Sequence, residues 1–166
     1  MEREYEMFGE PNEQGLRRIR AIKNFGSVSV GDVGGWIEDE RNLSHNGNCF
    51  VSGNARVSGN ARVSGDAWVS GNALVSGDAR VSGDARVSGD ARVSGDNDFC
   101  TFDKFGSENR TTIAFKDSNI GIRIVCGCFN GSLEEFRNAI DKTHGDSKHG
   151  KIYRLMADMI ELKLGE

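Results

Sequence analysis

The sequence predicts a mainly β fold: a β-helix of stacked coils, flanked by an N-terminal β cap and a small C-terminal α+β module. Three observations predict it. A hexad reading Val-Ser-Gly-[Asn/Asp]-Ala-X recurs eight times without a slip from Val51, the last copy ending Asn97-Asp98. The chain holds 22 glycines and a single proline, Pro11, which fits a regular use of glycine turns. The last third carries a helix-opening signature and apolar residues at helical spacing.

A period of six fits neither a helix at 3.6 nor a plain strand at 2, so each hexad is a short strand plus a corner. Ala, X and the next Val alternate in, out and in, while Ser-Gly-Asn/Asp supplies the turn, with glycine free to take a positive φ. Three such sides close one triangular coil. Extended backwards, the frame gives a degenerate ninth copy over residues 45–50, with His45 in the Val slot and Cys49 in the Ala slot. Nine hexads make about three coils.

Residues 1–44 form the cap. A strand is expected within 15–25, followed by a glycine-punctuated stretch over 28–37 whose Trp36 covers the open first coil. The repeats occupy 45–98, and a core this thin does not stand uncapped. The module follows over 99–166. Strands are expected at 99–105, 111–116 and 120–129, then a helix from the capping box Ser132-Leu-Glu-Glu135 to about Lys142. Ile152, Leu155, Met156, Met159 and Ile160 mark a final amphipathic helix.

The hexad resembles the hexapeptide-repeat superfamily, whose aliphatic residue, small residue two places earlier and polar corner correspond here to Val57, Ala55 and Gly53-Asn54. The resemblance implies a left-handed parallel β-helix. The leader, from Arg18 through Gly34-Gly35-Trp36-Ile37 to Phe50, resembles that of hexapeptide-repeat proteins of bacterial prophages. The tail is similar too, through Gly106-Ser-Glu-Asn109, Cys126-Gly-Cys-Phe129 and Thr143-His-Gly-Asp146. This family context implies a phage or prophage accessory protein, and in the superfamily solenoids associate side by side as trimers.

Charge narrows the partners. Residues 1–50 carry six Lys/Arg against nine Asp/Glu, 51–98 five against six, and 99–166 ten against ten. No basic arm favours duplex nucleic acid, and the Asp78 and Asp96 corners neutralise the Arg62 and Arg80 column. No apolar run reaches the roughly 18 residues of a membrane span, and the start lacks the pattern of a secretory signal. The expected setting is the cytoplasm of a bacterial host, where the four cysteines stay reduced.

Candidate chemistry falls in four places. The superfamily is best known for acyltransferases with a His general base, which makes His45 the candidate for that alternative, although its slot faces inward and no loop interrupts the repeats. Cys126, Cys128, His144 and His149 offer two thiolates and two imidazoles, a set that zinc accepts. On a strand the two cysteines point to one face. Ser107, Asn109, Arg110 and Thr111, with His144, gather the unlike donors that hold a small anion. Sorting X by an 18-residue coil gives the columns Phe50, Trp68, Arg86, then Arg56, Leu74, Arg92, then Arg62, Arg80, Asp98. Phe50, Trp68 and Leu74 form the candidate oligomer or partner interface.

The reading is a non-enzymatic prophage-type accessory binding protein, a homotrimer without cofactor, that inhibits a host defence protein or sequesters a nucleotide-type ligand. A hexapeptide-repeat acyltransferase is the alternative, a structural or virion-associated scaffold the third reading, and a structural zinc the alternative to no cofactor.

Overall fold

A computed structural model of the chain describes residues 3–95 and 97–165. The chain forms two compact units, over 1–96 and 97–166. The first is a parallel β-solenoid of about three turns with a β-hairpin added to one wall. The cap and the repeats thus make one body.

The solenoid strands are short because each hexad must turn. β5 (Phe50–Val51), β6 (Arg56–Val57), β7 (Arg62–Gly65), β8 (Trp68–Val69), β9 (Leu74–Val75), β10 (Arg80–Val81), β11 (Arg86–Val87) and β12 (Arg92–Val93) follow β1 (Tyr5–Phe8), β2 (Arg17–Ala21), β3 (Val33–Ile37) and β4 (Leu43–Gly47). They stack as three walls, β1-β2-β3-β6-β9-β12, β4-β7-β10 and β5-β8-β11. At every corner from Gly53 to Gly89 the glycine holds φ between 60 and 71°, the left-handed region that other residues enter at a cost. Successive coils bond through the backbone, as Arg56 N–H to Ala73 O at 2.9 Å and Trp68 N–H to Ala85 O at 2.9 Å. Inward Val and Ala, from Val51 to Val93, are at most 1% exposed.

The first coil departs from the expected frame. Leu43, not His45, sits beside Val63, and Gly47 then faces Gly65. Three residues therefore face the single Ser64, and this bulge lifts His45 out of the aliphatic slot. Cys49 does fill an Ala slot, fully buried beneath the coil, where burial raises its thiol pKa to about 11.

Trp36 does not close the open coil. It stands in an outward column beside Arg56, with the Arg18 guanidinium 4.7 Å above its ring. The closure comes from β2, whose Ile19 is fully buried. A Cβ on Gly34 would lie 2.5 Å from both Ile19 Cγ1 and the Val51 carbonyl, so only glycine lets the hairpin approach this closely.

The Arg56–Leu74–Arg92 and Phe50–Trp68–Arg86 columns form as expected. Arg62 and Arg80 also pair, but Asp98 belongs to the second unit, where its carbonyl accepts from the Lys116 N–H at 2.9 Å. The Asp96 corner lies outside the described residues. Corner amides donate to the carboxylate one coil on, Asn48 to Asp66 at 2.8 Å, Asn60 to Asp78 at 3.0 Å and Asn72 to Asp90 at 3.2 Å. The Asn/Asp alternation of the hexads therefore has a stacking logic.

The second unit is an antiparallel sheet, β13 (Phe99–Phe105), β14 (Arg110–Asp117), β15 (Gly121–Cys126) and β16 (Phe129–Ser132), in that spatial order. The helices α1 (Leu133–His144) and α2 (Lys148–Leu164) complete it. The capping box forms: Ser132 Oγ accepts from Glu135 N–H, and Glu135 Oε2 from Ser132 N–H. Arg137 bridges α1 to Asp158 and Glu161 of α2, and Arg154 of α2 reaches back to Asp141. The core joins Ala114 and Ile124 to Phe136, Ile140, Tyr153, Met156, Ala157, Ile160 and Leu164. The α2 stripe that packs inward is thus Tyr153, Met156, Ala157, Ile160 and Leu164, whereas Leu155 and Met159 are 64% and 57% exposed. No described helix is long and apolar enough to cross a membrane.

Candidate functional site

One end of the four-stranded sheet gathers most of the residues that the sequence singles out. In an antiparallel sheet the β13–β14 and β15–β16 turns fall at the same end, and the pairings Phe105 with Arg110, Thr112 with Cys126, and Cys126 with Phe129 place them side by side. The first turn holds Gly106 at φ 80° and Asn109 at φ 50°; asparagine tolerates this region better than most side chains. Gly106 rests on Tyr153 of α2, because a Cβ there would overlap the phenol. Ser107 N–H donates to the Tyr153 hydroxyl at 3.3 Å.

The partners of the four turn residues separate their roles. Thr111 Oγ1 donates to Asp103 at 2.9 Å, so its hydroxyl braces the hairpin. Ser107 locks the turn to α2 through its backbone, and Asn109 shapes the reversal. Arg110 is exposed and lies along Gly127, where a Cβ would overlap its Nη1. No carboxylate pairs with its guanidinium among the described residues. Of the expected anion contacts, Arg110 alone combines charge with freedom.

Beside Gly127 opens a recess of about 160 Å³, lined by Cys126, Phe129, Phe136, Ala139, Ile140, Thr143, His144 and Tyr153. Its volume is close to the roughly 150 Å³ of an apolar cavity that takes one benzene ring. The walls are aromatic: Phe129 and Phe136 have centroids 5.2 Å apart, Phe136 meets Tyr153 edge-on at 6.0 Å, and His144 stacks on Tyr153 at 5.2 Å. The polar groups of the lining are the Thr143 hydroxyl, the His144 imidazole, the Tyr153 hydroxyl and the Cys126 thiol, which accepts from Thr112 Oγ1 at 3.0 Å. Such a lining suits a flat ring with one or two polar edges. His144 ends α1, where Gly145 at φ 48° turns the chain into α2.

The two cysteines do not share a face. Gly127 adopts φ 60° between them, so the run is a hairpin turn rather than a strand; Cys126 faces the recess and Cys128 is exposed. His149 lies 6.4 Å, ring to ring, from His144. Among the described residues no three His, Cys, Asp or Glu side chains gather into a metal-binding group. The donor set that zinc would need is therefore not assembled from Cys126, Cys128, His144 and His149.

The other candidates lie in the solenoid. Phe50 is 3% exposed, covered by Phe25 at 5.9 Å and Trp68 at 5.7 Å. The cover is a tight turn in which Phe25 and Val28 exchange backbone hydrogen bonds at 3.1 and 2.8 Å. Phe50 is thus a core residue, not an interface residue. Trp68 and Leu74 are half-buried, and Trp68 Nε1 donates to Ser52 Oγ at 3.1 Å. His45 stacks on Tyr5 at 4.2 Å, and its Nδ1 accepts from Glu4 N–H at 3.3 Å. Its Nε2 is buried without a partner among the described residues, and burial holds the imidazole pKa below 6.5.

Sequence reasoning missed the recess itself. Tyr153, Phe129 and Phe136 sit on three separate elements, and Tyr153 is one position off the apolar stripe chosen for α2. The one available signal was Phe136 and Ile140 four apart on α1, which marks a buried helix face and no more.

A family model of the YdcK β-solenoid repeat matches residues 50–65, 55–71, 67–83 and 85–96, all within the solenoid. The likeness covers the repeats and leaves the second unit unmatched. No curated protein matches the chain.

Proposed function

We propose that the chain is a non-enzymatic, prophage-type accessory protein whose second unit binds a small aromatic anion of the nucleotide kind, with the solenoid as a rigid scaffold. One observation carries this reading. An unpaired guanidinium, Arg110, lies against the turn that forms the lip of a ring-sized aromatic recess. The recess takes the ring by stacking and exclusion of water, and Arg110 takes phosphate or carboxylate oxygens with its planar fork. Thr143 and His144 supply the polar edge contacts that select among rings. Sequestration of a nucleotide-type signal is the role that fits, and it needs no cofactor.

His45 supports the non-enzymatic side of this reading. A general base must reach the proton it removes, and here one ring nitrogen accepts a backbone N–H while the other is buried. Inhibition of a host protein through the same turn is the second form of the binding reading, because Arg110 and the exposed Cys128 stand together at that edge.

The test is a calorimetric screen of nucleoside monophosphates, cyclic dinucleotides and sugar phosphates. Wild type is expected to bind a ring-bearing anion. Arg110→Ala should weaken that binding by about 10- to 100-fold, the worth of a charge-assisted contact, and Arg110→Lys by less. Equal binding by wild type and Arg110→Ala would overturn the assignment, as would preference for sugar phosphates that lack an aromatic ring.

A further inference from the structure

The face of α2 that turns away from its own core is apolar as well. Ile152 is half-buried, and Leu155, Met159 and Leu162 are 64%, 57% and 87% exposed. Leu162 is the most exposed large apolar residue among those described. Their spacing is three, four and three residues, the a and d positions of a heptad. The buried stripe, Tyr153, Met156, Ala157, Ile160 and Leu164, occupies b, e and f positions, about a third of a turn round the helix. A helix that serves one core needs one stripe; the second stripe has the a and d spacing of a short coiled-coil seam.

We infer that α2 pairs in parallel with α2 of a second copy of this chain, through Ile152, Leu155, Met159 and Leu162. Ile152 at one a position, with Leu155 and Leu162 at d, bears on the number of strands, and the flanking charges bear on their direction. A β-branched Ile at a with Leu at d favours two parallel strands over three or four. In that arrangement each g residue lies opposite the e residue of the partner's next heptad, so Asp158 of one copy faces Lys163 of the other and the reverse. The two charges are complementary in both directions around the two-fold axis. Asp158 is 55% exposed and keeps an oxygen for this contact while the other accepts from Arg137.

The helix costs nothing to form on pairing, because it is already folded against its own sheet, unlike an isolated peptide of 17 residues. The seam is small beside the roughly 800 Å² per partner of a stable interface. The dimer is therefore weak and forms only at high concentration. This places self-association on the second unit and not on the Phe50, Trp68 and Leu74 columns.

Sedimentation velocity and light scattering of the full chain across a concentration series test it. Wild type is expected to pass from monomer to dimer, and the double variant Leu155→Gln with Leu162→Gln to remain monomeric with an unchanged helical melt, since both side chains are exposed. Lys163→Glu should weaken the dimer several-fold by setting acid against Asp158. In a Cys128→Ala background, Leu162→Cys should form a covalent dimer under mild oxidation, because a parallel two-fold seam puts each d residue beside its own counterpart. Wild type that stays monomeric up to about 1 mM would overturn the pairing, as would association that survives the double glutamine variant. Absence of the cross-link in the Leu162→Cys variant, together with indifference to Lys163→Glu, would overturn the parallel arrangement.

Discussion

In the regular coils of the solenoid a residue repeats the surroundings of the one 18 positions away, whereas the second unit is built without such a period. Val57 meets Val75, which meets Val93, in the same wall and register. In the second unit, Ser107 N–H finds the Tyr153 hydroxyl 46 residues on, and the recess draws on β15, β16, α1 and α2 together. Periodicity gives a stiff frame from few residue types, but it presents the same groups again and again. Selective binding needs unlike groups converging on one place, and the recess of the aperiodic unit is such a place.

The contrast can be broken from the solenoid side first. Val69 is fully buried between coils, so Val69→Asp places an unpaired charge in a core with no room to rearrange and should cost about 4 kcal/mol or more. Both tryptophans lie in the first unit and both helices in the second. Tryptophan fluorescence and helical ellipticity therefore report the two units separately. The variant should lose the first signal at temperatures where wild type keeps it. An unchanged fluorescence melt would contradict the inward register.

Phe136→Ala is the counterpart in the second unit, where it removes a ring that packs on Phe129 and Tyr153 and also walls the recess. It should cost about 3 to 5 kcal/mol, read as an earlier loss of helical ellipticity, with the tryptophan melt as reference. A helical melt equal to wild type would show that Phe136 is not a core residue.

Acid separates the units more gently. Burial keeps the folded pKa of His45 below 6.5, so the unfolded chain takes up the proton first. Stability of the first unit should then fall as pH drops through 6.5 toward the folded value, and His45→Gln should flatten that stretch. In the second unit burial pushes the Asp117 carboxyl up. The Arg123 guanidinium and the N–H groups of Asn119 and Ile120 outweigh it and hold the pKa below 3.8. Its contribution is present above 3.8 and is lost only as pH falls through the lower folded value. Fluorescence should therefore respond at milder acidity than ellipticity. The reverse order would contradict the placement of His45 or of the Asp117–Arg123 pair.

The smallest effect concerns the corner ladder. Asn60→Asp replaces an amide that donates to Asp78 with a second carboxylate, and should cost on the order of 0.5 to 1 kcal/mol, less at high salt. Asn54→Asp, whose corner residue one coil on is Asn72, is the control. Equal effects from both would remove the stacking logic.

What was legible in the sequence follows the same division. The hexad dictates coil, corner and core residue by residue, and the capping box at Ser132 and Glu135 fixes the start of α1 to the position. The frame slips at His45 because two extra residues between Leu43 and Gly47 leave no mark in a degenerate repeat. Cys126 and Cys128 read as strand neighbours because glycine is common in strands and turns alike, and its φ is decided by the hairpin that closes around it. The two stripes of α2 blended into one apolar pattern, since Leu155 and Met156 are adjacent in sequence yet one is exposed and the other buried. Arg110 was legible as a candidate anion contact. The ring-sized recess beside it was not, because no local spacing encodes the meeting of Phe129, Phe136 and Tyr153.

The most direct test of the account is an amide NMR titration of the full chain with adenosine 5′-monophosphate, a ring and a phosphate in one probe. Shifts are expected for Gly106, Ser107, Arg110, Gly127 and His144, with the corner glycines from Gly53 to Gly89 unmoved. Shifts confined to those corner glycines and to the Arg62 and Arg80 strands, with Gly127 and His144 silent, would contradict it.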